Sequence, residues 1–187
     1  PPIDLGYARS SLDRTGHAAA VDAIHALLDA GDCYQVNLTR RLDFTTVPDP
    51  HALFAALMTV NPAPHAVCCV LGSALPGVAI VSASPELYLG VEGDEVTTRP
   101  IKGTASDAAT LAATAKDRAE HVMIVDLARN DLGRVCRPGT IRVPDLCALE
   151  EHPGLHHMVS TVVGERRSDA GLGAVVRATF PPASVKI

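Results

Sequence analysis

Three short polar insertions interrupt otherwise apolar segments of the chain, and each carries a side chain that can do chemistry. They are SASPE, which ends at Glu86, RPIKGT, which contains Lys102, and HHMVS, which contains His157. A carboxyl group, an amine and an imidazole can serve as general acid, nucleophile and proton carrier. Each residue also has an ordinary interpretation, as a turn glutamate, a solvated strand end or a histidine satisfied in the core.

A helix is predicted from Lys116 to Gly133, and we expect this helix to help position Glu86, Lys102 and His157. Its middle, VMIV at 122–125, is continuously apolar, and a helix that is apolar on most faces is normally buried. The same segment carries Glu120 and Asp131, although charges are rarely buried unless they are paired, bind a metal or line a cavity. The alternative is a core helix whose charges cluster at its ends and reach water.

The segments before this helix alternate between helical and strand patterns. Residues 1–15 are expected to be a polar lead-in. A helix is expected at 17–30, capped by Gly31, then a strand at 34–44 and a short helix at 52–60 that ends before Pro62. Four short strands are expected to form one antiparallel sheet, at 66–71, 78–82, 87–91 and 95–101.

The segments on either side of the long helix complete the pattern. The helix is expected to begin between Ser106 and Leu111. Strands are expected after it at 140–143, 146–150 and 156–164, with a closing helix at 171–179. Helices mixed with antiparallel strands favour the α+β class over a parallel α/β fold.

Composition and charge narrow the classes of function. The 187 residues are 47% hydrophobic and 20% charged, and a net charge of −5 without a basic run argues against nucleic acid as the main partner. No apolar segment approaches the ~18 residues that a membrane span needs, so we expect a cytoplasmic protein without a membrane partner. The five cysteines show no C-x-x-C spacing and are expected to be buried free thiols.

The insertions and the helix together resemble the chorismate-utilising enzymes, which include anthranilate, aminodeoxychorismate, isochorismate and salicylate synthases. Six segments that occur in family order carry the resemblance: GDCYQVNLT, SASPE, RPIKGT, AEHVMIVDLARNDLGRVC, HHMVSTVVGE and FPPASV. PIKGT, with Lys102, is similar to the branch that aminates chorismate, aminodeoxychorismate synthase component I, where other branches have PxAGT. AEH, with His121, is nearer to the anthranilate branch.

The resemblance implies a fold and a reaction. The fold would be the chorismate-utilising one, with stacked, mostly antiparallel sheets flanked by helices. The reaction would be amination of chorismate at C4, with ammonia from a glutamine amidotransferase subunit or domain, on the route to p-aminobenzoate and folate. The alternatives are an anthranilate synthase component I, which makes anthranilate and pyruvate, and a non-catalytic chorismate-binding fragment.

The resemblance also implies a role for individual residues. Lys102 would attack the ring at C2 as a neutral amine, and Glu86 would be the general acid, with a pKa above the ~4.3 of a free glutamate. Glu120 would bind Mg²⁺, and His157 would orient substrate or carry a proton. The Gly103 backbone and Thr104 would donate hydrogen bonds to a substrate carboxylate, and Asn130 and Asp131 would hold the end of the helix in place.

The sequence departs from the family pattern at two places. Gly103-Thr104 is followed by ASD where the family usually continues RPR, so no arginine is assigned to this loop. FPPASV is followed by Lys186-Ile187 where TGAPK is typical, and a C-terminal part with further Mg²⁺-binding glutamates does not follow. We therefore expect residues 1–187 to be a single partial chorismate-binding domain.

Overall fold

The structure is a computed structural model, and it describes residues 3–33, 36–152, 154–183 and 185. The chain divides into two compact units, one up to Ser84 and the other from Pro85 onward. Each unit is described by itself. The single domain over 1–187 stays a prediction.

The first unit contains two helices and two small antiparallel sheets. Strand β1 pairs with β2, and β3 pairs with β4. The elements are β1 Ala8–Ser10, α1 Arg14–Ala30, β2 Leu42–Phe44, α2 Pro50–Val60, β3 His65–Val70 and β4 Ala79–Ser84.

Local capping signals define both helices of this unit. The Asp13 side chain accepts the Gly16 N–H at the start of α1, and Gly31 ends the helix with a left-handed φ of 76°. Helix α2 begins at Pro50, whose missing N–H costs nothing at that position, and it ends before Asn61. The helices predicted at 17–30 and 52–60 are confirmed, the first with a start three residues earlier.

The strand predicted at 34–44 is wrong over most of its length. Only Leu42–Phe44 form a strand, because β1 offers them a partner of three residues, and residues 36–41 pair with no strand among the described residues. Residues 34 and 35 lie outside the described part of the chain. The expected lead-in also contains a strand, β1.

The second unit is built around one five-stranded sheet. Its elements are β5 Leu87–Glu92, β6 Glu95–Arg99, β7 Ile101–Ala105, α3 Ala108–Ala113, α4 Ala115–Gly133, β8 Arg142–His152, β9 Leu155–Glu165 and α5 Leu172–Thr179. Strand β9 is central: β6 and β7 pair in succession along one edge and β8 along the other, all antiparallel. Helices combined with antiparallel sheets confirm the α+β class.

The structure corrects three further expectations. The four strands predicted as one sheet belong to two, since β3 pairs with β4 while β5 and β6 join β9. The long helix is interrupted at Thr114, which separates α3 from α4. The strands predicted at 140–143 and 146–150 form the single strand β8, with two register shifts that absorb extra residues.

Helix α4 is buried along one face and not all round, so the prediction that most faces of this helix are buried is wrong. Ile124, Ala128 and Leu132 lie on the buried face, whereas Val122 is 43% exposed. Spacings of four residues place the buried side chains on one stripe of the helix. All five cysteines are free, but only Cys136 is buried, so the expectation of buried thiols is wrong for the other four.

Candidate active site

An ion pair between Lys102 of β7 and Glu120 of α4 forms the centre of the candidate site. The Lys102 Nζ lies 3.0 Å from Glu120 Oε1, and the two side chains are 25% and 31% exposed. Both groups therefore retain access to water while they lie on the side of β7 that faces α4. This contact explains how Glu120 sits on the boundary of the buried stripe without being an isolated buried charge.

Glu86 lies immediately before β5 and reaches the same strand as Lys102. Its Oε1 accepts a hydrogen bond from the Ile101 N–H at 3.4 Å. Burial raises the pKa of the Glu86 carboxyl, and this effect outweighs the Ile101 N–H and the Lys102 ammonium, which both act to lower it. Lys102 is thus paired with Glu120 and lies near enough to Glu86 to act on the pKa of its carboxyl group.

A β-bulge at Gly103 controls where the next side chain points. Ile101 pairs with Val159 and Thr104 pairs with His157, so β7 has one more residue than β9 over this interval. Gly103 has a φ of +79°, and a Cβ there would lie 2.8 Å from Leu111 Cδ1. Glycine is required at this position both for its backbone conformation and for the close approach of α3.

Thr104 and His157 form a second group beyond the bulge. The Thr104 Oγ1 lies 2.9 Å from His157 Nδ1, within hydrogen-bond distance. Strand β9 has a regular alternation, because the register shifts lie on its neighbours, so Ser160 points toward α4 and His157 points to the opposite face. The predicted site residues therefore fall into two clusters, Glu86–Lys102–Glu120 and Thr104–His157, joined through the backbone of Gly103.

His157 is almost completely buried and has further titratable neighbours. Burial lowers the pKa of His157, and the nearby His152 adds to this effect, while Glu150 acts in the opposite direction. The His152 and His157 rings lie with centroids 4.9 Å apart at an angle of 59°. The proximity of His152 and Glu150 to His157 was not predicted, because the local sequence pattern does not show that β8 pairs with β9.

His121 is a second buried histidine that sequence reasoning treated only as a marker of the family branch. Its Nε2 lies 2.7 Å from Ser160 Oγ, which also accepts the Cys147 N–H at 2.8 Å. Burial lowers the pKa of His121, and the cations Arg118 and Lys102 lower it further. This contact fixes α4 on β9 one residue from Glu120. The signal available in the sequence was a histidine directly before the apolar run at 122–125.

Asp131 lies at the other end of α4, where it was expected to hold the helix in place. Its carboxylate accepts a hydrogen bond from Arg134 at 2.9 Å, and the same guanidinium donates to the Ala178 carbonyl of α5. Asp131 also lines a small cavity beside Glu86, together with Tyr88, Thr98 and Thr179. The cavity, about 20 Å³, has room for about one water molecule and is too small for an organic substrate.

The residues that the structure describes supply only part of a magnesium site. Mg²⁺ is usually held by one or two carboxylates, several waters and oxygens of the substrate. Glu120 offers one such carboxylate, but the described ranges contain no group of three or more histidine, cysteine or acidic side chains able to hold a metal. Glu120 can therefore serve as one metal ligand, but it does not form a metal site by itself.

Among the residues that the structure describes, no helix is long and apolar enough to cross a bilayer.

The class of protein follows from comparison with known families. The model of the chorismate binding enzyme family matches residues 4–186. The chain therefore belongs to the chorismate-binding enzyme family.

Particular relatives can then be named. Aminodeoxychorismate synthase component 1 of Klebsiella aerogenes is 38% identical over 187 residues, which cover 95% of this chain and 41% of that protein. Anthranilate synthase component 1 of Mycolicibacterium smegmatis is 40% identical over 173 residues, which cover 86% and 33%. The crystal structure of anthranilate synthase component I from Streptococcus pneumoniae matches with a TM-score of 0.84 and 26% identity, over 98% of this chain and 42% of that one. The chain spans about two fifths of the length of the first and last of these relatives and a third of the second.

Proposed function

We propose that this chain belongs to a protein that aminates chorismate at C4 to give 4-amino-4-deoxychorismate, on the route to p-aminobenzoate and folate. The observation that carries the proposal is the Lys102 amine, which is paired with Glu120 at 3.0 Å and acts electrostatically on the Glu86 carboxyl, whose pKa burial raises. A nucleophile flanked by a general acid is the constellation that displacement of a hydroxyl group needs. The similarity to aminodeoxychorismate synthase component 1 supports the same reaction.

The reaction proceeds in two displacements. In the first, the neutral Lys102 amine forms a bond to C2 of chorismate, the ring double bonds shift, and the C4–O bond breaks. Glu86 donates a proton, so that the hydroxyl leaves as water. In the second, ammonia forms a bond to C4, the double bonds shift back, and the C2–N bond breaks to return the amine of Lys102. The ammonium of Lys102 has to lose its proton before the first step, because only a neutral amine is nucleophilic.

The remaining residues bind and orient the substrate in this proposal. Glu120 would be one ligand of Mg²⁺, which when bound neutralises a carboxylate of chorismate. Thr104 and the Gly103 N–H would donate hydrogen bonds to a carboxylate. His157, which lies beside Thr104 on the other face of the sheet from Lys102, would orient the substrate through Thr104 or carry a proton. Ammonia would come from a glutamine amidotransferase subunit or domain, in keeping with the words "component 1" in the names of the relatives.

Formation of anthranilate and pyruvate from chorismate is the second candidate function. It is favoured by the 40% identity to anthranilate synthase component 1 of Mycolicibacterium smegmatis and by His121 in the AEH segment. Lys102 counts against it, because the resemblance associates an alanine at this position with the anthranilate branch. The two functions are separated by their products.

The test supplies the chain with chorismate, ammonium and Mg²⁺ and measures 4-amino-4-deoxychorismate and anthranilate. We expect the amino product from the wild-type chain, and a loss of at least about a hundredfold in kcat for Lys102→Ala, because the covalent step has no substitute. Mass spectrometry should find a chorismate-derived adduct on the peptide that contains Lys102.

Lys116→Ala is the matched control, since Lys116 lies exposed on the same helix as Glu120. This variant should retain full activity and carry no adduct. Full amination by Lys102→Ala would reject the covalent mechanism, and anthranilate with pyruvate as the products would establish the second function. Binding of chorismate without turnover would leave a non-catalytic chorismate-binding chain.

A further inference from the structure

Behind His157 lies a network of side chains that the proposed reaction does not use. Glu150 of β8 is the direct cross-strand partner of His157 on β9. The His152 ring lies 4.9 Å from the His157 ring, centroid to centroid, and His152 Nε2 lies 3.9 Å from Glu150 Oε2. The Glu150 carboxylate and the His152 ring thus approach His157 from the same neighbouring strand.

Arg99 of β6 closes the network on the other side. Its guanidinium forms an ion pair with Glu150 and donates a hydrogen bond from Nε to Thr161 Oγ1 at 3.3 Å. The Arg99 and Glu150 side chains are only 31% and 33% exposed. Three strands of the sheet therefore contribute charged or titratable groups to one partly buried cluster around His157. Such clusters are more strongly coupled than surface pairs.

Thr104 approaches His157 from the fourth strand and occupies one of its two ring nitrogens. With Nδ1 at 2.9 Å from the Thr104 hydroxyl, a neutral His157 that accepts this hydrogen bond at Nδ1 carries its proton on Nε2. The ring nitrogen that remains for a substrate is then Nε2, as a donor. A histidine held in one tautomer by a fixed neighbour is pre-organised for its task.

We propose that Glu150, His152 and Arg99 are positioning residues that hold the His157 ring in one orientation, neutral and protonated on Nε2, with Thr104 on Nδ1. The inference deepens the proposed function, since it rests on His157 as the residue that handles the substrate. None of the three positioning residues touches the reacting atoms. They act only through His157.

The charges around His157 explain why all three residues are needed. The groups that approach it are Thr104 from β7 and Glu150 and His152 from β8, and Arg99 from β6 is paired with Glu150. Burial and the neighbouring His152 lower the pKa of His157, whereas the Glu150 carboxylate raises it. Because Arg99 is paired with Glu150, much of that carboxylate's charge is compensated. The net effect is a pKa of His157 below its ordinary value, which favours the neutral ring.

The test follows His157 by ¹⁵N-edited NMR of the histidine side chains over a pH titration, in the whole chain. In the wild-type chain we expect the Nδ1 of neutral His157 to give the chemical shift of an unprotonated nitrogen. Glu150→Gln should lower the pKa of His157, because it removes the carboxylate that favours the cation. His152→Gln should raise this pKa, because it removes a competing positive charge. Shifts of opposite sign from two neighbouring substitutions do not arise from general loosening of the fold.

Glu151→Gln is the matched control, because Glu151 is the next residue of β8 and is exposed. It should leave both the tautomer and the pKa of His157 unchanged. Thr104→Val is a second variant that introduces no charge change, and it should shift the tautomer toward protonation at Nδ1. Equal shifts from Glu150→Gln and Glu151→Gln, or shifts of the same sign from Glu150→Gln and His152→Gln, would overturn the inference.

Kinetics distinguish failure of this inference from failure of the proposed function. If the amination is found, Glu150→Gln should lower kcat about tenfold or more and change the pH profile of kcat, with KM less affected. If the NMR shifts occur and no amination is found, the positioning network stands and the proposed function fails. If amination is found and the two NMR shifts are absent, the proposed function stands and the network fails.

Discussion

At the scale of single residues, the candidate site holds two ionisable groups in opposite settings. Glu86 is a carboxyl group whose ionised form is disfavoured by burial, and Lys102 is an ammonium paired with the carboxylate of Glu120. Pairs of titratable groups with contrasting environments are the usual basis of acid and base assignments. In the proposed reaction they favour Glu86 as the proton donor.

Replacement of Glu86 by glutamine should stabilise the folded chain at neutral pH. The pKa of this carboxyl is higher in the folded than in the unfolded chain, so the folded chain binds the proton more tightly. The stabilisation that Glu86 contributes is fully present below its pKa in the unfolded chain. It is lost as the pH rises through its pKa in the folded chain. Glu86→Gln removes that loss. The midpoint of urea unfolding should therefore be modestly higher than for the wild type at pH 7 and the same at about pH 3.5.

Glu92→Gln serves as the control for this measurement, because Glu92 is exposed at the end of the strand that Glu86 precedes. It should show no difference from the wild type that depends on pH. A Glu86→Gln chain that is less stable than the wild type at pH 7 would mean that attraction to Lys102 outweighs burial. Active sites often contain groups that reduce the stability of the fold, because catalysis requires them in an unfavourable environment.

At the scale of elements, β6 and β7 act as one long strand that is interrupted by Pro100. They pair with the two halves of β9, and the Pro100 carbonyl still accepts the Ser160 N–H at 3.2 Å. Proline has no N–H to give to the sheet, so the interruption occurs where β7 begins. The bulge at Gly103 follows three residues later. Together these two irregularities set the direction of Lys102 and Thr104.

Gly103→Ala should disrupt this arrangement more than an alanine at another left-handed glycine. The left-handed backbone alone costs about 1–2 kcal/mol for an alanine, and the new Cβ would also lie 2.8 Å from Leu111 Cδ1. The matched control is Gly93→Ala, at a φ of +59° with open space around its Cβ position. We expect both variants to lose stability in urea unfolding, and Gly103→Ala to lose more. Equal losses would show that Leu111 moves aside freely.

Sequence patterns anticipated the elements whose signals are local. Gly31 and Pro62 marked helix ends, and the apolar β-branched runs marked strands near their observed bounds. Strand pairing is not local and was missed: residues 36–41 belong to no strand in the part of the chain that the structure describes, and β3 pairs with β4 in a separate sheet. The same limit applied to the site. Motifs pointed to Lys102 and Glu120, but only pairing over some fifty residues brings Arg99 to Glu150.

At the scale of the whole molecule, burial is distributed unevenly along the chain. Within the part of the chain that the structure describes, the buried apolar side chains begin at Val96 and continue to Ala183, all in the second unit. Strand β9 alone contributes Met158, Val159, Val162 and Val163. In the first unit, neither α1 nor α2 has a buried residue. Since buried apolar area is the main source of stability, the two units should differ in stability.

Hydrogen exchange measured by mass spectrometry should resolve this difference. We expect the slowest amide exchange in peptides from 155–165, because β9 is paired on both edges and its residues are buried. Peptides from 3–33 and 36–84 should exchange at least about tenfold faster, since regions with few buried contacts open at low free energy. Unfolding in urea should then show a first transition confined to the first unit. A single transition with equal protection in both units would contradict this expectation, because it would require the exposed helices of the first unit to be as stable as a sheet with a buried centre.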